Sequence, residues 1–322
     1  MAAIHERSAA ELAAMYASGE LSPVQVTRTL LERIAAWEPR INAMYRVSRD
    51  AALAAAAASE ARWRAGRPLS ALDGVPLTIK ENIATRGDPS PVGTRANEDA
   101  PLQAADAPSA ARAREAGLVI LGKTTMPDFG MLSSGVSSLH GVTRNPWHLE
   151  RNPSGSSSGA AAAAVAGYAP LHLGTDIGGS VRLPATHCGL FALKPSLGRV
   201  PVLPPYLGRV AGPMTRSLAD AALLMGVVAR PDARDFMSLP YQELNFANVA
   251  ESKRPPEPRR LRIGFLPDMG VGLEVEPEVR AAAEAAATAL AGAGCAVESL
   301  RSFLTEEMAD GMSRFFEARS YN

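Results

Sequence analysis

From residue 67 onward the sequence alternates between segments of helical length and short apolar runs, and this alternation most constrains the fold. Residues 75–79 and 118–121 are apolar runs of strand length, whereas residues 109–116 have helical character and are followed by Gly117. Strands that alternate with helices along a chain usually form a sheet that the helices cover. The sequence therefore predicts an α/β fold with a central mixed β-sheet and helices on both faces.

The first part of the chain has a different pattern, which is typical of helices alone. Ser8 and Glu11 form a capping-box pattern, and Ser22-Pro23 reads as an N-cap followed by a first-turn proline. The alanine-rich residues 50–65 form a third helical segment. We therefore predict that residues 1–66 are a helical segment that packs on the core.

The remaining boundaries follow from composition. Residues 67–230 contain the alternating pattern and are predicted to form the core. Residues 231–260 are predicted to be an irregular connection, because the prolines near their end disfavour both helix and sheet. Residues 261–322 read as a strand, a helix and a strand, and are expected to form an incomplete C-terminal α/β unit.

Composition excludes several classes of function. The 33 basic residues balance 33 acidic ones, so the chain lacks the positive field that nucleic acid or anionic lipid requires. The apolar stretches are far shorter than the roughly 20 residues that span a bilayer. With no basic-then-apolar leader and two unpaired cysteines, we expect a cytoplasmic protein that binds neither nucleic acid nor membrane.

Two segments rich in glycine and serine, residues 152–159 and 174–180, are candidates for the functional site. Such composition is also typical of a flexible linker or an ordinary turn. The first segment, however, runs directly into a predicted helix at residues 160–166, whose N-terminus favours negative charge. The second can turn tightly with several backbone N–H groups facing one point, which is suited to an oxyanion. No lysine follows its glycines, as a phosphate-binding P-loop requires.

Together these segments resemble the amidase signature family. The resemblance covers about two thirds of the chain, and its motifs occur in the family's order. They are Gly74-Val-Pro-Leu-Thr-Ile-Lys80, Leu121-Gly-Lys-Thr-Thr-Met126, Thr143-Arg-Asn-Pro-Trp147, the serine segment, Gly174-Thr-Asp-Ile-Gly-Gly-Ser-Val-Arg182, Leu193-Lys-Pro195 and Gly212-Pro-Met-Thr215. The family usually continues further, so this chain is expected to be shortened at its C-terminal end.

The resemblance implies a catalytic role for three residues. Ser180 falls on the family's nucleophile, Ser156 on the relay serine that follows a cis peptide bond, and Lys80 on the base. It also implies an oxyanion hole made by the backbone N–H groups of Ile177, Gly178, Gly179 and Ser180.

Further residues are implied to support this site. Ser157, Asp176 and Arg182 would brace the two loops, and Gly130, together with Ser156, falls where family members contact substrate. The sequence departs from the family pattern at three positions. Serine replaces the usual glycine at Ser154 and Ser158, and Glu81 follows the lysine where aspartate is common. A side chain at either serine position would restrict the loop if a positive φ is needed there.

A lysine can act as a base only if it is neutral. Half-neutrality at pH 7 requires a pKa lowered by about three units, or roughly 4–5 kcal/mol. Only four of the 33 basic residues are lysines, and Lys80 lies in an apolar run, so we predict that it is buried and neutral. We assign structural roles to Lys123 and Lys194, predict that Lys253 is solvated, and expect His187 to be a packed structural residue.

The predicted activity is hydrolysis of a small-molecule carboxylic acid amide, to an acid and ammonia or an amine, through an acyl-enzyme on Ser180. No cofactor and no metal ion are expected, and the chain is compatible with a homodimer. Three alternatives stay open: the catalytic component of a tRNA-dependent amidotransferase, which would use glutamine; a non-catalytic binding module; and a Gly-x-Ser-x-Gly elbow with Ser157 as nucleophile. The elbow requires a preceding strand, and residues 149–153 are polar and broken by proline.

Overall fold

The computed structural model describes residues 3–246, 261–272 and 274–320. Contacts divide the chain into two compact units, Met1–Glu251 and Ser252–Asn322. The first unit contains the main sheet and every residue of the candidate site.

The first two N-terminal helices begin at the capping residues that the sequence predicts. Ser8 accepts a hydrogen bond from the backbone N–H of Glu11, and the Glu11 carboxylate accepts one from the N–H of Ser8, so the capping box is formed. Gly19 ends that helix in the left-handed conformation, and Ser22 caps the next. The three helices are α1 (Ala9–Ser18), α2 (Pro23–Ile41) and α3 (Arg49–Arg64).

The main sheet is six-stranded and mixed, in the order β1-β3-β2-β6-β8-β7. Neighbouring strands β3, β2 and β6 are parallel, whereas β1, β8 and β7 pair antiparallel with their neighbours. Strands β4 and β5 form a separate antiparallel hairpin. The strands are β1 (Met44–Val47), β2 (Pro76–Lys80), β3 (Val119–Thr124), β4 (Val136–Ser137), β5 (Gly141–Val142), β6 (Leu171–Asp176), β7 (Phe191–Ala192) and β8 (Val210–Thr215).

Helices cover both faces of this sheet, as the sequence predicts, and every residue of β2, β3, β6 and β8 is buried. The predicted N-terminal helical segment also contains β1, a four-residue edge strand that the sequence pattern does not distinguish from a loop. The other helices in the described part of this unit are α4 (Pro108–Glu115), α5 (Ser158–Ala166), α6 (Arg182–Cys188) and α7 (Leu218–Val228), with 3₁₀ turns at Ile4–Glu6, Arg95–Asn97 and Asp128–Gly130.

Helix α5 is the element that positions the site. It consists almost entirely of alanine, glycine and serine, eight of its nine residues are buried, and it packs against the four central strands. Near its N-terminus the Gly159 N–H donates to the carbonyl of Thr125 at 3.1 Å. A methyl group at position 159 would overlap the Ala43 carbonyl and the Thr125 amide. Only glycine therefore allows the start of α5 to approach the strand ends so closely.

This close approach predicts opposite effects for two helical glycines. Gly159→Ala should lower the free energy of unfolding by about 1–3 kcal/mol, because backbone atoms must move to admit the methyl group. Gly226→Ala, at an exposed position of α7 with open space around it, should be neutral or stabilising by up to about 1 kcal/mol. Urea unfolding of both variants measures the difference, and equal effects would contradict the packing described for α5.

The second unit contains a parallel strand pair and two helices. Strands β9 (Arg262–Phe265) and β10 (Ala296–Ser299) flank helix α8 (Pro277–Gly292) in sequence, as predicted, and α9 (Glu306–Ser320) follows. Residues 247–260 of the predicted connection, including Lys253, lie outside the described residues. Among the described ranges, no helix combines the length and apolar character that crossing a membrane requires.

Candidate active site

Lys80 is the last residue of β2 and its side chain is completely buried. Its Nζ lies 2.8 Å from Ser156 Oγ and 3.0 Å from Ser157 Oγ. The structure therefore brings together three of the residues predicted to form the site.

Burial lowers the pKa of Lys80 to about 7, because an enclosed ammonium loses its hydration. The Arg209 guanidinium lowers this pKa further, whereas Asp176 and Glu81 oppose the shift. Ser157, against which Nζ lies, is also the N-cap of α5, and the positive end of a helix disfavours a cation. Near neutral pH a large fraction of Lys80 is thus available as a free amine.

The serine segment is not a linker. All residues from 153 to 159 are buried. No strand runs directly into this segment, so the nucleophile-elbow interpretation lacks its structural requirement. The peptide bond between Gly155 and Ser156 is cis. Of the two family glycines that are serine here, Ser154 does adopt a positive φ of 66°, and its hydroxyl donates to the Ser133 carbonyl at 3.1 Å. Ser158 is the first residue of α5 and needs no special conformation.

Hydrogen-bond directions at Ser157 fix the orientation of the lysine amine. Ser157 Oγ donates to the carbonyl of Thr175 at 3.1 Å and accepts from the Thr175 N–H at 3.3 Å. Because a hydroxyl has a single proton, Ser157 can only accept from Lys80. When the amine is neutral, its lone pair is then free to accept a proton from Ser156.

The loop after β6 is held by a buried carboxylate. Asp176 accepts hydrogen bonds from the N–H groups of Gly179 at 2.9 Å and Val181 at 3.0 Å, and it forms a two-point ion pair with Arg182 at 2.9 and 3.1 Å. Burial acts to raise the pKa of Asp176, but Arg182 and the two amides outweigh it and hold the pKa below its usual value. The geometry gives Asp176 and Arg182 bracing contacts of the kind that the family resemblance implies.

The predicted oxyanion amides differ in their contacts. The Gly179 N–H is already engaged by Asp176, whereas no hydrogen bond inside the described part of the chain uses the N–H groups of Ile177, Gly178 and Ser180. Ser180 is half-buried, and its carbonyl accepts from the Ser157 N–H at 3.1 Å, which ties the two loops together. Three amides are thus left to bind an oxyanion.

Gly130 lies beside the serine cluster, with a positive φ of 71°. A methyl group built at this position would lie 3.3 Å from Ser156 Oγ and 2.9 Å from the end of the Met126 side chain. The absence of a side chain at Gly130 therefore keeps the approach to Ser156 open.

Several contacts near Lys80 could not be foreseen from the sequence. Asn82 donates to Thr175 Oγ1 at 3.0 Å, and a small cavity lined by both residues is also lined by Arg209. The Glu81 carboxylate, completely buried, lies 2.9 Å from Nε2 of His140.

The expectation that His187 is packed is wrong, since it lies on the exposed side of α6 and its backbone carbonyl accepts from Asn145.

The other described lysines have roles apart from the serines. Lys123 is completely buried on β3, donates to the Ile83 carbonyl, and has its pKa lowered to about 7 by burial. Lys194 donates to the carbonyl of Pro195 at 2.9 Å. In the described structure neither lysine amine hydrogen-bonds to Ser156, Ser157 or Ser180.

The mixed sheet holds a buried lysine against two serine hydroxyls. This arrangement is typical of proteins in which a lysine activates a serine as a nucleophile. The sequence model of the family described as Amidase matches residues 25–317. The chain therefore belongs to the amidase family.

The chain is similar to proteins of two kinds. It is 42% identical over 305 residues to a glutamyl-tRNA(Gln) amidotransferase subunit from Acidothermus cellulolyticus, a match that covers 92% of this chain and 59% of the relative. Among solved structures, it resembles a bacterial aryl acylamidase of the amidase signature family, with a TM-score of 0.89, 31% identity and coverage of 98% and 66% of the two chains. The native peptide amidase of Stenotrophomonas maltophilia matches with a TM-score of 0.80, 33% identity and coverage of 92% and 62%. This chain thus spans about three fifths of the length of the curated relative.

The lowered pKa of Lys80 predicts the pH dependence of any reaction in which its neutral amine acts as the base. For such a reaction, kcat/KM should rise about tenfold per pH unit below an apparent pKa near 7 and level off above it. Lys80→Met should lower the rate by about 10²–10⁴-fold. Lys123→Met is the matched control, because Lys123 is equally buried and has the same pKa of about 7. The pH profiles of both variants are the measurement. If Lys123→Met lost the acid limb and Lys80→Met kept it, the limb would belong to Lys123 and the prediction would be wrong.

Arg209 predicts a second pH effect. Removing its charge in Arg209→Leu should raise the pKa of Lys80, so the acid limb moves to higher pH and the rate at pH 7 falls while the alkaline plateau remains. Arg209→Lys, which keeps the charge, should restore the original limb. A lower plateau with an unmoved limb in Arg209→Leu would contradict an electrostatic role.

Proposed function

We propose that this chain cleaves a carboxylic acid amide through an acyl-enzyme on Ser180. The observation that carries the proposal is the position of the Lys80 amine, which is completely buried and lies 2.8 Å from Ser156 Oγ. The segment that contains Ser156 is tied to Ser180, because the Ser157 N–H donates to the Ser180 carbonyl. A serine hydroxyl needs a base to become a nucleophile, and a neutral lysine acting through a second hydroxyl supplies one.

The proposed proton path uses the hydrogen bond between Ser156 Oγ and Lys80 Nζ, and the transfer from Ser180 to Ser156 is part of the proposal. Ser180 Oγ bonds to the carbonyl carbon and gives its proton to Ser156 Oγ, while Ser156 gives its own proton to the neutral Lys80 Nζ. When the C–N bond breaks, the departing nitrogen takes a proton from Ser156, which recovers one from the Lys80 ammonium. Water then attacks the ester carbonyl and gives a proton to Ser156, which passes its own to Lys80. When the ester C–O bond breaks, Ser180 Oγ takes a proton from Ser156, which recovers one from Lys80, and the acid is released.

Charge that develops on the carbonyl oxygen would be bound by the loop after β6. The N–H groups of Ile177, Gly178 and Ser180 have no internal partner in the described chain, so they are available to the oxyanion. Each such donor is worth about 3 kcal/mol in the transition state. Asp176 holds the loop in shape before substrate arrives, so no reorganisation is needed during the reaction.

For the substrate, we propose the side-chain amide of glutamine, with the chain acting as the ammonia-releasing component of an amidotransferase. The sequence alone favours a free-standing amidase, but the similarity to an amidotransferase subunit, at 42% identity over a match that covers 92% of this chain, favours the alternative. This assignment also implies a protein partner that receives the ammonia.

The second candidate is a free-standing amidase for small-molecule amides. Its support is the likeness to the aryl acylamidase and the peptide amidase, whose names describe amide cleavage without an amidotransferase. The backbone geometry around Ser156 and Ser180 serves both candidates, because the acyl-transfer chemistry is the same and only the acyl group differs.

The proposal predicts a covalent intermediate at one residue. On incubation with glutamine or with small amides, intact-protein and peptide mass spectrometry should find the acyl group on Ser180, and Ser180→Ala should lower ammonia release by at least about 10³-fold. Ser133→Ala serves as a control serine outside the proton path. Acylation of Ser156 or Ser157 in place of Ser180, or full activity in Ser180→Ala, would overturn the mechanism.

The same assay separates the two candidates. Faster hydrolysis of glutamine, followed by ammonia, than of a panel of aryl and peptide amides, followed by the amine or ammonia that each releases, supports the amidotransferase assignment. Preference for the aryl or peptide amides supports the free-standing amidase.

A further inference from the structure

A second cavity lies outside the serine–lysine site and is lined by none of its residues. Its volume is about 440 Å³, and it is bounded by the end of β1, the first turn of α3, the loop at residues 86–88 and the end of α4. This size is within the range of pockets that bind small molecules.

Four arginines from three separate parts of the sequence line this cavity: Arg46, Arg49, Arg86 and Arg114. Only two acidic residues, Asp50 and Asp88, share its lining, so the cavity has an excess of two positive charges in a chain whose total net charge is zero. Convergent like charges are unfavourable unless an anion is present.

The internal ion pairs leave part of this charge unbalanced. Arg46 pairs with Asp88 at 2.5 Å, and Arg114 pairs with Asp106 at 3.1 Å. The side chains of Arg49 and Arg86, in contrast, have no hydrogen bond or ion pair within the described residues. Two guanidinium groups at the cavity are therefore available to a ligand.

The rest of the lining indicates what else the ligand would contain. The first turn of α3, a 16-residue helix, also lines the cavity. Its N-cap residue Ser48 makes no side-chain capping bond, and Asp50 in the same turn offsets part of the positive helix end. Val47, Ala51, Ala55 and Ile120 provide apolar surface beside the arginines. The lining thus combines an anion-binding edge with an apolar one.

We propose that this cavity binds a small phosphate monoester whose organic part is apolar. The planar guanidinium of Arg49 or Arg86 matches two phosphate oxygens at once, which a hydrated point charge does not. A small molecule fits better than RNA, because the arginines surround one cavity and do not form an extended basic stripe.

The test uses phenyl phosphate and inorganic phosphate as probes with the full chain, in calorimetric titrations at constant ionic strength. Phenyl phosphate should bind at one saturable site, at least about fivefold more tightly than inorganic phosphate. The double variant Arg49→Gln/Arg86→Gln should weaken this binding at least tenfold. Both residues are exposed, so their replacement leaves the core intact.

The control double variant Arg28→Gln/Arg67→Gln removes the same charge at exposed positions away from the cavity and should bind normally. Ser180→Ala should also bind normally, which separates this site from the proposed catalytic one. No saturable binding of phenyl phosphate, an equal loss in the control variant, or displacement of phenyl phosphate by a short RNA at lower concentration would each overturn the proposal.

Discussion

An amine buried at the end of a central strand is the constraint on which the rest of this structure depends. Burial lowers the pKa of Lys80 to about 7, so about half of the amine is neutral at pH 7, and two serine hydroxyls satisfy its hydrogen bonds. Those hydroxyls must come within 3 Å of the amine at a strand end, and this distance sets the position of α5. An alanine-rich helix that starts at Ser158 and has glycine at its second position is what allows such an approach.

Much of the fold could be predicted because local signals agree with the tertiary structure. The capping box at Ser8 and the apolar run that ends at Lys80 each specify one element with little help from distant residues. The burial of Lys80 could also be predicted, since lysine is scarce here and its neighbours in the strand are apolar. The residues of the candidate site were located by the order of several motifs, and the structure places Lys80, Ser156 and Ser157 in mutual contact.

Other features depend on contacts between distant residues and leave no local signal. Strand β8 contains Gly212 and Pro213, which are both poor strand formers, so the sequence pattern does not indicate a strand. The structure explains the glycine, because a side chain at Gly212 would overlap the Leu193 carbonyl. The four residues of β1 become a strand only by pairing with β3. The pairing of Glu81 with His140 joins residues 59 positions apart, and the arginine-lined cavity gathers four segments, so neither could be read from spacing.

The ion pair between Asp176 and Arg182 sets how the loop after β6 responds to acid. Its carboxylate is completely buried and also holds two backbone amides, whereas the Arg182 side chain is half exposed. Because the pKa of Asp176 is held below its usual value, the stabilisation from this carboxylate is present above the ordinary carboxyl range and is lost only as pH falls through the lowered value. The carboxylate therefore supports the loop through neutral and mildly acidic solution and releases it only in strongly acidic solution.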